Sequence, residues 1–135
     1  VTAQVIYEGS LRTQATHIQS GSTIETDAPV DNGGQGARFS PTDLVAAALA
    51  SCMCTIMGLA AEAHSIDLGS ISCDVEKIMI KDPRRIGEIR VALHFEGPQT
   101  YDEKARAVLE RAALTCPVFE SLHADLKKTV SFSWS

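Results

Sequence analysis

The first 26 residues alternate apolar and polar side chains in short runs, with Val1, Ala3, Val5 and Tyr7 on one face and a Glu8-Gly9-Ser10 turn after them. A period of two is that of an extended strand, so this region is predicted to form a strand meander. Residues 28–37 then gather Pro29, Asp31, Asn32, Gly33, Gly34 and Gly36, a density of chain breakers that predicts a loop. Within it, Asn32-Gly33-Gly34-Gln35-Gly36 lacks the spacing and the lysine of a phosphate-binding loop, and is read as a flexible loop over a functional site.

At Ser40-Pro41-Thr42-Asp43 the pattern changes. Serine suits an N-cap, proline suits the first helical position, and Asp43 completes an S-x-x-D box, so a helix is predicted from Pro41 to about Ala63. Leu44, Val45, Ala47, Ala48, Leu49, Ile56, Met57 and Leu59 make it apolar nearly all round, which predicts a central position, such as one between subunits. After His64 the period returns to two. Ile71, Cys73, Val75 and Met79 share one side of a strand, and Ile89, Val91, Leu93 and Phe95 one side of a second, with the turn at Lys81-Asp82-Pro83 and Gly87. Thr100 and Glu103 form a second capping box before a stripe of Ala105, Val108, Leu109, Ala112 and Ala113. That helix should stop near Thr115, because Pro117 pushes Cys116 out of helical geometry, and a short helix should run from Pro117 to about Ala124. Val130, Phe132 and Trp134 alternate with serines in a last half-buried strand, preceded by Lys127 and Lys128 as a solvated edge guard. No repeat or linker interrupts the chain, so residues 1–135 are expected to form one domain.

With 135 residues, 44% hydrophobic and 21% charged, the chain belongs to the globular class. Seventeen acidic against twelve basic residues give a net charge of -5, which disfavours nucleic acid and anionic membranes as partners. The sequence shows no basic segment leading into an apolar one, so a cytoplasmic location is expected. The most apolar stretch, 44–61, is broken by Ser51, Thr55 and Gly58 and sits at the short limit for a bilayer, which favours a buried helix. Four cysteines in this setting point to thiol chemistry or metal binding rather than to a disulfide framework.

Cys52 lies about three turns into the long helix, and Cys54, two positions on, lies about 200° further around the axis. The two cannot face one partner, so they are not a C-x-x-C motif, and one of them is read as filler. Cys73, beside Ile71 and Val75, is read as a small hydrophobe. Cys116 is an N-cap candidate, where unpaired amides and the helix dipole favour the thiolate. By physics alone this would make Cys116 the more acidic thiol, with Cys52 in need of a cation.

The run Phe39-Ser40-Pro41-Thr42-Asp43-Leu44 through Ala50-Ser51-Cys52-Met53, followed by Cys116-Pro117-Val118 with Leu122, resembles the two cysteine motifs of the OsmC/Ohr family. The order of elements is also similar. This resemblance implies an α+β subunit in an intertwined homodimer, with sites at the subunit interface and the long helix central. It implies a cysteine peroxidase without cofactor or metal, acting on organic hydroperoxides or on hydrogen peroxide. Cys52 would be the peroxidatic thiol and Cys116 the resolving one, with a lipoyl or other dithiol as the reductant. The family's thiolate is stabilised by a loop arginine held by a glutamate near the start of the long helix. Arg38 is the candidate for that cation and Arg12, on the N-terminal hairpin, its rival. The glutamate position falls on Thr42, which only hydrogen-bonds, while Asp43 is committed to the cap; an arginine so loosened implies weaker or redirected peroxidase activity.

Two other readings compete. Cys52, Cys116, His64 and His123 are conceivable metal ligands from separate elements, but short ligand spacings are missing. His17, His94 and His123 are read as surface residues. A nonenzymatic protein that binds a small apolar ligand at the dimer interface is the alternative function.

Overall fold

The computed structural model describes residues 1–96 and 100–134. Its contacts divide the chain into two compact units, Val1–Val45 and Ala46–Ser135.

In the first unit the predicted meander forms an antiparallel sheet of β1 (Ala3–Gly9), β2 (Arg12–His17) and β3 (Thr23–Asp27), in that order. The β1–β2 turn needs positive φ at Gly9, Ser10 and Leu11, two of them residues that rarely adopt it. β1 is exposed on both faces, with Val5, Ile6 and Tyr7 each more than 60% accessible, so its alternation does not mark a face buried within the chain. The breaker-rich segment is a loop as predicted, but a pinned one. Val30–Asn32 forms a 3₁₀ turn, the Gly34 amide donates to the Pro29 carbonyl (2.9 Å), and the Ala37 amide donates to Asp27 (3.1 Å). Gly34 is required there by close approach, since a Cβ would lie 1.7 Å from the Ala28 carbonyl oxygen.

Helix α1 (Pro41–Ala63) starts and stops where the sequence places it. The Asp43 amide donates to Ser40 Oγ (3.0 Å) while the Ser40 amide donates to Asp43 Oδ2 (3.0 Å), a reciprocal box. At the far end Ser65 takes a left-handed φ of 54°, and the Ile66 and Ser65 amides donate to Ala61 and Glu62. These two bonds close a Schellman motif with serine in the usual glycine position.

The second unit packs α1 from Ala46 onward with β4 (Ser70–Ile80), β5 (Arg85–Glu96), α2 (Glu103–Leu114), α3 (Pro117–Ser121) and β6 (Lys127–Trp134). β4 and β5 are an antiparallel hairpin, and β6 joins β5 in parallel as an edge strand. Ile89, Val91, Leu93 and Phe95 point inward at period two, as predicted, and meet Leu49, Met53 and Met57 of α1 and Leu109 and Ala113 of α2 in one core. Each large apolar side chain so buried contributes about 1.5–3 kcal/mol. Phe95 stacks on Trp134 (4.0 Å between centroids) with Tyr101 edge-on (5.7 Å), and the Trp134 indole N–H donates to Glu110 (3.2 Å).

Several expectations change. α1 is long and apolar enough to cross a membrane, yet its buried residues form only one stripe: Ala46, Leu49, Ala50, Met53, Met57 and Ala61. Leu59 on another face is 58% exposed, so one chain does not make this helix central all round. The second helix is capped by Asp102, whose carboxylate accepts from the Ala105 amide (2.7 Å), rather than by Thr100, because a carboxylate is the stronger acceptor. Gly87 lies inside β5 instead of in the turn, where a Cβ would press within 2.5 Å of the Ile80 side chain. α3 ends at Ser121, short of Ala124, because Leu122 is already extended. Lys127 and Lys128 begin β6 rather than precede it, and the Lys128 ammonium sits 4.7 Å over the Phe119 ring.

Candidate active site

The second unit gathers the four cysteines into two pairs. Cys116 is the N-cap of α3, with extended dihedrals (φ -68°, ψ 154°) set by Pro117 behind it, and its sulfur accepts from the Phe119 amide at 3.4 Å. The Cys52 thiol of α1 lies near enough to act on the Cys116 proton. The expected acidity of Cys116 is reversed. Burial pushes its thiol up, the contact with Cys52 adds to the rise, and the Phe119 amide offsets only part. The helix-start argument is sound locally, but burial outweighs the Phe119 and Val118 amides at a one-turn helix.

Cys54 faces elsewhere, as the roughly 200° offset from Cys52 requires. Its sulfur lies 3.2 Å from Cys73 on β4, so neither thiol is isolated filler. Burial first, and then the Cys54 contact, push Cys73 up to about 12. Sequence reasoning missed this pair. Cys54 and Cys73 come from a helix and a strand 19 residues apart, and no local spacing signals that docking.

The cations lie in the first unit. Arg12 and Asp27 are directly opposite in the β2–β3 register, and the guanidinium forks onto the carboxylate with Nε–Oδ1 at 2.8 Å and Nη2–Oδ2 at 3.0 Å. Asp27 is 3% exposed and also accepts the Ala37 amide, so one carboxylate fixes both Arg12 and the loop before α1. Arg38 is held less tightly. Its Nη1 donates to the Ala37 carbonyl (2.9 Å), its Nε approaches Glu25 at 3.7 Å, and its side chain is 46% exposed. Thr42 shares a hydrogen bond with Ser40 Oγ (3.2 Å), and Asp43 closes the cap as expected. Asp27 was missed as an arginine anchor because its role depends on strand register. The signal available was an aspartate at the end of a predicted strand facing a hairpin arginine.

The hydrogen bond from Arg12 holds Asp27 below the usual carboxylate range, with the Ala37 amide assisting. Its folded value is depressed relative to about 3.9 unfolded, so its stabilising contribution is complete above that value and is lost as pH falls through the folded one. We expect Asp27→Asn to be less stable at neutral pH and to lose less stability on acidification than the wild type. Urea midpoints measured between about pH 2 and 6 check this, and parallel acid limbs would refute it.

The histidines have ordinary partners. His94 meets Asp74 at 3.0 Å, His17 meets Ser20 at 2.6 Å, and His64, just past the end of α1, contacts the Ala60 carbonyl. Among the described residues no three histidine, cysteine or acidic side chains are gathered to hold a metal, so Cys52, Cys116, His64 and His123 do not assemble as a ligand set.

Residues 33–131 match the family model described as OsmC-like protein. A Psychrobacter arcticus 273-4 protein, provisionally described as an osmotic stress induced and detoxification response protein, is 47% identical with a TM-score of 0.91, covering 98% of this chain and 95% of that one. The organic hydroperoxide resistance protein OsmC of Legionella pneumophila is 20% identical with a TM-score of 0.77, over 98% and 97% of the two chains. For OhrB of Bacillus subtilis the identity is 17% and the TM-score 0.69, with 98% of each chain covered. No curated protein matches the sequence. With the family model spanning most of the chain and a relative at 47% identity superposing over nearly all of it, the protein is a member of the OsmC-like family.

Proposed function

We propose that this protein is a thiol-dependent peroxidase that reduces organic hydroperoxides through Cys52 and Cys116. The observation that carries the reading is the proximity of those two thiols, brought from α1 and the start of α3. Burial pushes the Cys116 thiol up, which disfavours Cys116 as the first nucleophile and suits it to the resolving role. The Cys52 thiolate attacks the terminal peroxide oxygen, an S–O bond forms as the O–O bond breaks, and the alkoxide takes a proton to leave as an alcohol. Cys116 then attacks the sulfenic sulfur, the S–O bond breaks, and hydroxide departs as water with the Cys116 proton. Two electrons have passed from two thiols to the peroxide, and a lipoyl or other small dithiol returns them by exchange.

Support for this class comes from relatives named for organic hydroperoxide resistance. Homodimer formation is part of the proposal, supported by the apolar side chains that one chain leaves uncovered: Val5, Ile6 and Tyr7 on β1 and Leu59 on α1. A cytoplasmic setting, where thiols stay reduced, suits a dithiol cycle. Arg38 stays the candidate for the thiolate-stabilising cation, with Arg12 as its rival. Arg12 has the fixed carboxylate partner expected of an oriented cation, whereas Arg38 has the freer guanidinium. Alkylation rates of Cys52 in Arg38→Ala and Arg12→Gln, with the other cysteines replaced, separate the two.

The test uses Cys54→Ser/Cys73→Ser, so that only the proposed pair remains. One equivalent of tert-butyl hydroperoxide is expected to consume both thiols per chain and yield a Cys52–Cys116 linked peptide by mass spectrometry. A dithiol should then restore turnover. Thiols that stay free, with the peroxide unconsumed, would reject the peroxidase reading and favour a binding role.

A further inference from the structure

Cys54 and Cys73 are half-buried, their sulfurs 3.2 Å apart across the α1–β4 contact. Closing that gap to a disulfide of about 2.05 Å takes roughly an ångström of movement, within reach of side-chain rotation. Both belong to the second unit, and the helix turns Cys54 about 200° from Cys52, so the pair stands apart from the proposed catalytic thiols.

We propose that Cys54 and Cys73 are a second redox site, closed by hydroperoxides into an intrachain disulfide that ties α1 to β4. Cys54 attacks the peroxide oxygen, an S–O bond forms as the O–O bond breaks, and the alcohol leaves with a proton. Cys73 then displaces water from the Cys54 sulfenic acid, using its own proton. Two thiols give two electrons to one peroxide. The direction of attack follows from the neighbours. Burial, the Cys54 contact and the Asp74 carboxylate beside it push the Cys73 thiol up, which disfavours Cys73 as the attacking sulfur. The oxidised form removes loop freedom from the unfolded chain over the 19-residue separation, and so stabilises the fold. The site therefore records oxidant exposure as a stiffer helix–sheet contact beside the Cys52 turn.

Because this does not rest on the Cys52–Cys116 reading, the test removes that pair. Cys52→Ser/Cys116→Ser, reduced and then treated with tert-butyl hydroperoxide, is expected to lose both remaining thiols and give a Cys54–Cys73 linked peptide at monomer mass. Its thermal midpoint should rise by about 5–10 °C, and dithiothreitol should reverse the shift. Cys73→Ala in the same background should show no such rise. Two thiols still titratable after oxidation, or separate sulfinic and sulfonic acids without a linked peptide, would overturn the proposal. Should the double variant not fold, peptide mapping of the peroxide-treated wild type decides: a Cys54–Cys73 linkage supports the site and its absence refutes it.

Discussion

Replacing Cys52 by serine is expected to reduce hydroperoxide turnover by about 10³-fold or more, to the background of the remaining thiols. The swap is nearly isosteric at a half-buried helical position, so folding should be little affected. What disappears is the chemistry. A hydroxyl at neutral pH supplies almost no anion, is a poorer nucleophile toward oxygen, and cannot pass through a sulfenic acid. Cys116→Ser should behave differently, and the contrast is diagnostic. With Cys52 intact the first oxidation proceeds, but the proposed resolving sulfur is gone. One turnover is followed by sulfinic and sulfonic acids on Cys52. Stopped-flow peroxide consumption with intact-mass analysis distinguishes the three proteins. An undiminished steady-state rate in Cys52→Ser would remove the peroxidatic role from this residue, and resolved disulfide cycling in Cys116→Ser would remove the resolving role from its partner.

Much of the architecture is legible because its causes are local. The Ser40-Pro41-Thr42-Asp43 box sets where α1 begins, and its two reciprocal hydrogen bonds use only atoms within one turn. The inward face of β5 is written in four apolar residues at period two, and Cys116 becomes an N-cap because proline follows it. Features that depend on one element meeting another are not legible in this way. Arg12 and Asp27 become a bidentate pair only once β2 and β3 settle in register. Cys54 and Cys73 meet only once the helix docks on the sheet. The protonation of Cys116 belongs to the same group. Its capping position is local, but its burial comes from the core around it, and burial decides the sign. The missed cap at Thr100 is a different kind of error, a contest between two candidates two residues apart that the stronger acceptor, Asp102, wins. The helical-wheel offset between Cys52 and Cys54 is correct as geometry. Its consequence is that each thiol has its own partner, rather than that one is filler.

Stability should depend most on the aromatic end of the second unit, and Phe95→Ala is expected to cost about 3–5 kcal/mol. Phe95 is 1% exposed at the end of β5, where it completes the inward row begun by Ile89, Val91 and Leu93. One face stacks on Trp134, and Tyr101 meets it edge-on. Tyr101 is in turn tied by its hydroxyl to the Leu68 carbonyl, on the connection between α1 and β4, so the ring sits where three parts of the unit converge. Truncation leaves a cavity walled by two large, tethered rings. Trp134 is restrained by its bond to Glu110 and by Arg106 over its face at 5.5 Å, so it cannot collapse freely into the space. The cost should therefore lie near the top of the range for such changes, a large share of the roughly 5–15 kcal/mol that a domain this size possesses. Urea denaturation should register a fall in midpoint of about 2 M with little change in slope. Phe95→Leu, which keeps most of the apolar volume, should lose less than half as much. A midpoint for Phe95→Ala within about 0.3 M of the wild type would mean that the cluster repacks, and that the convergence of β5, β6 and the Tyr101 tether is not what holds this end of the core.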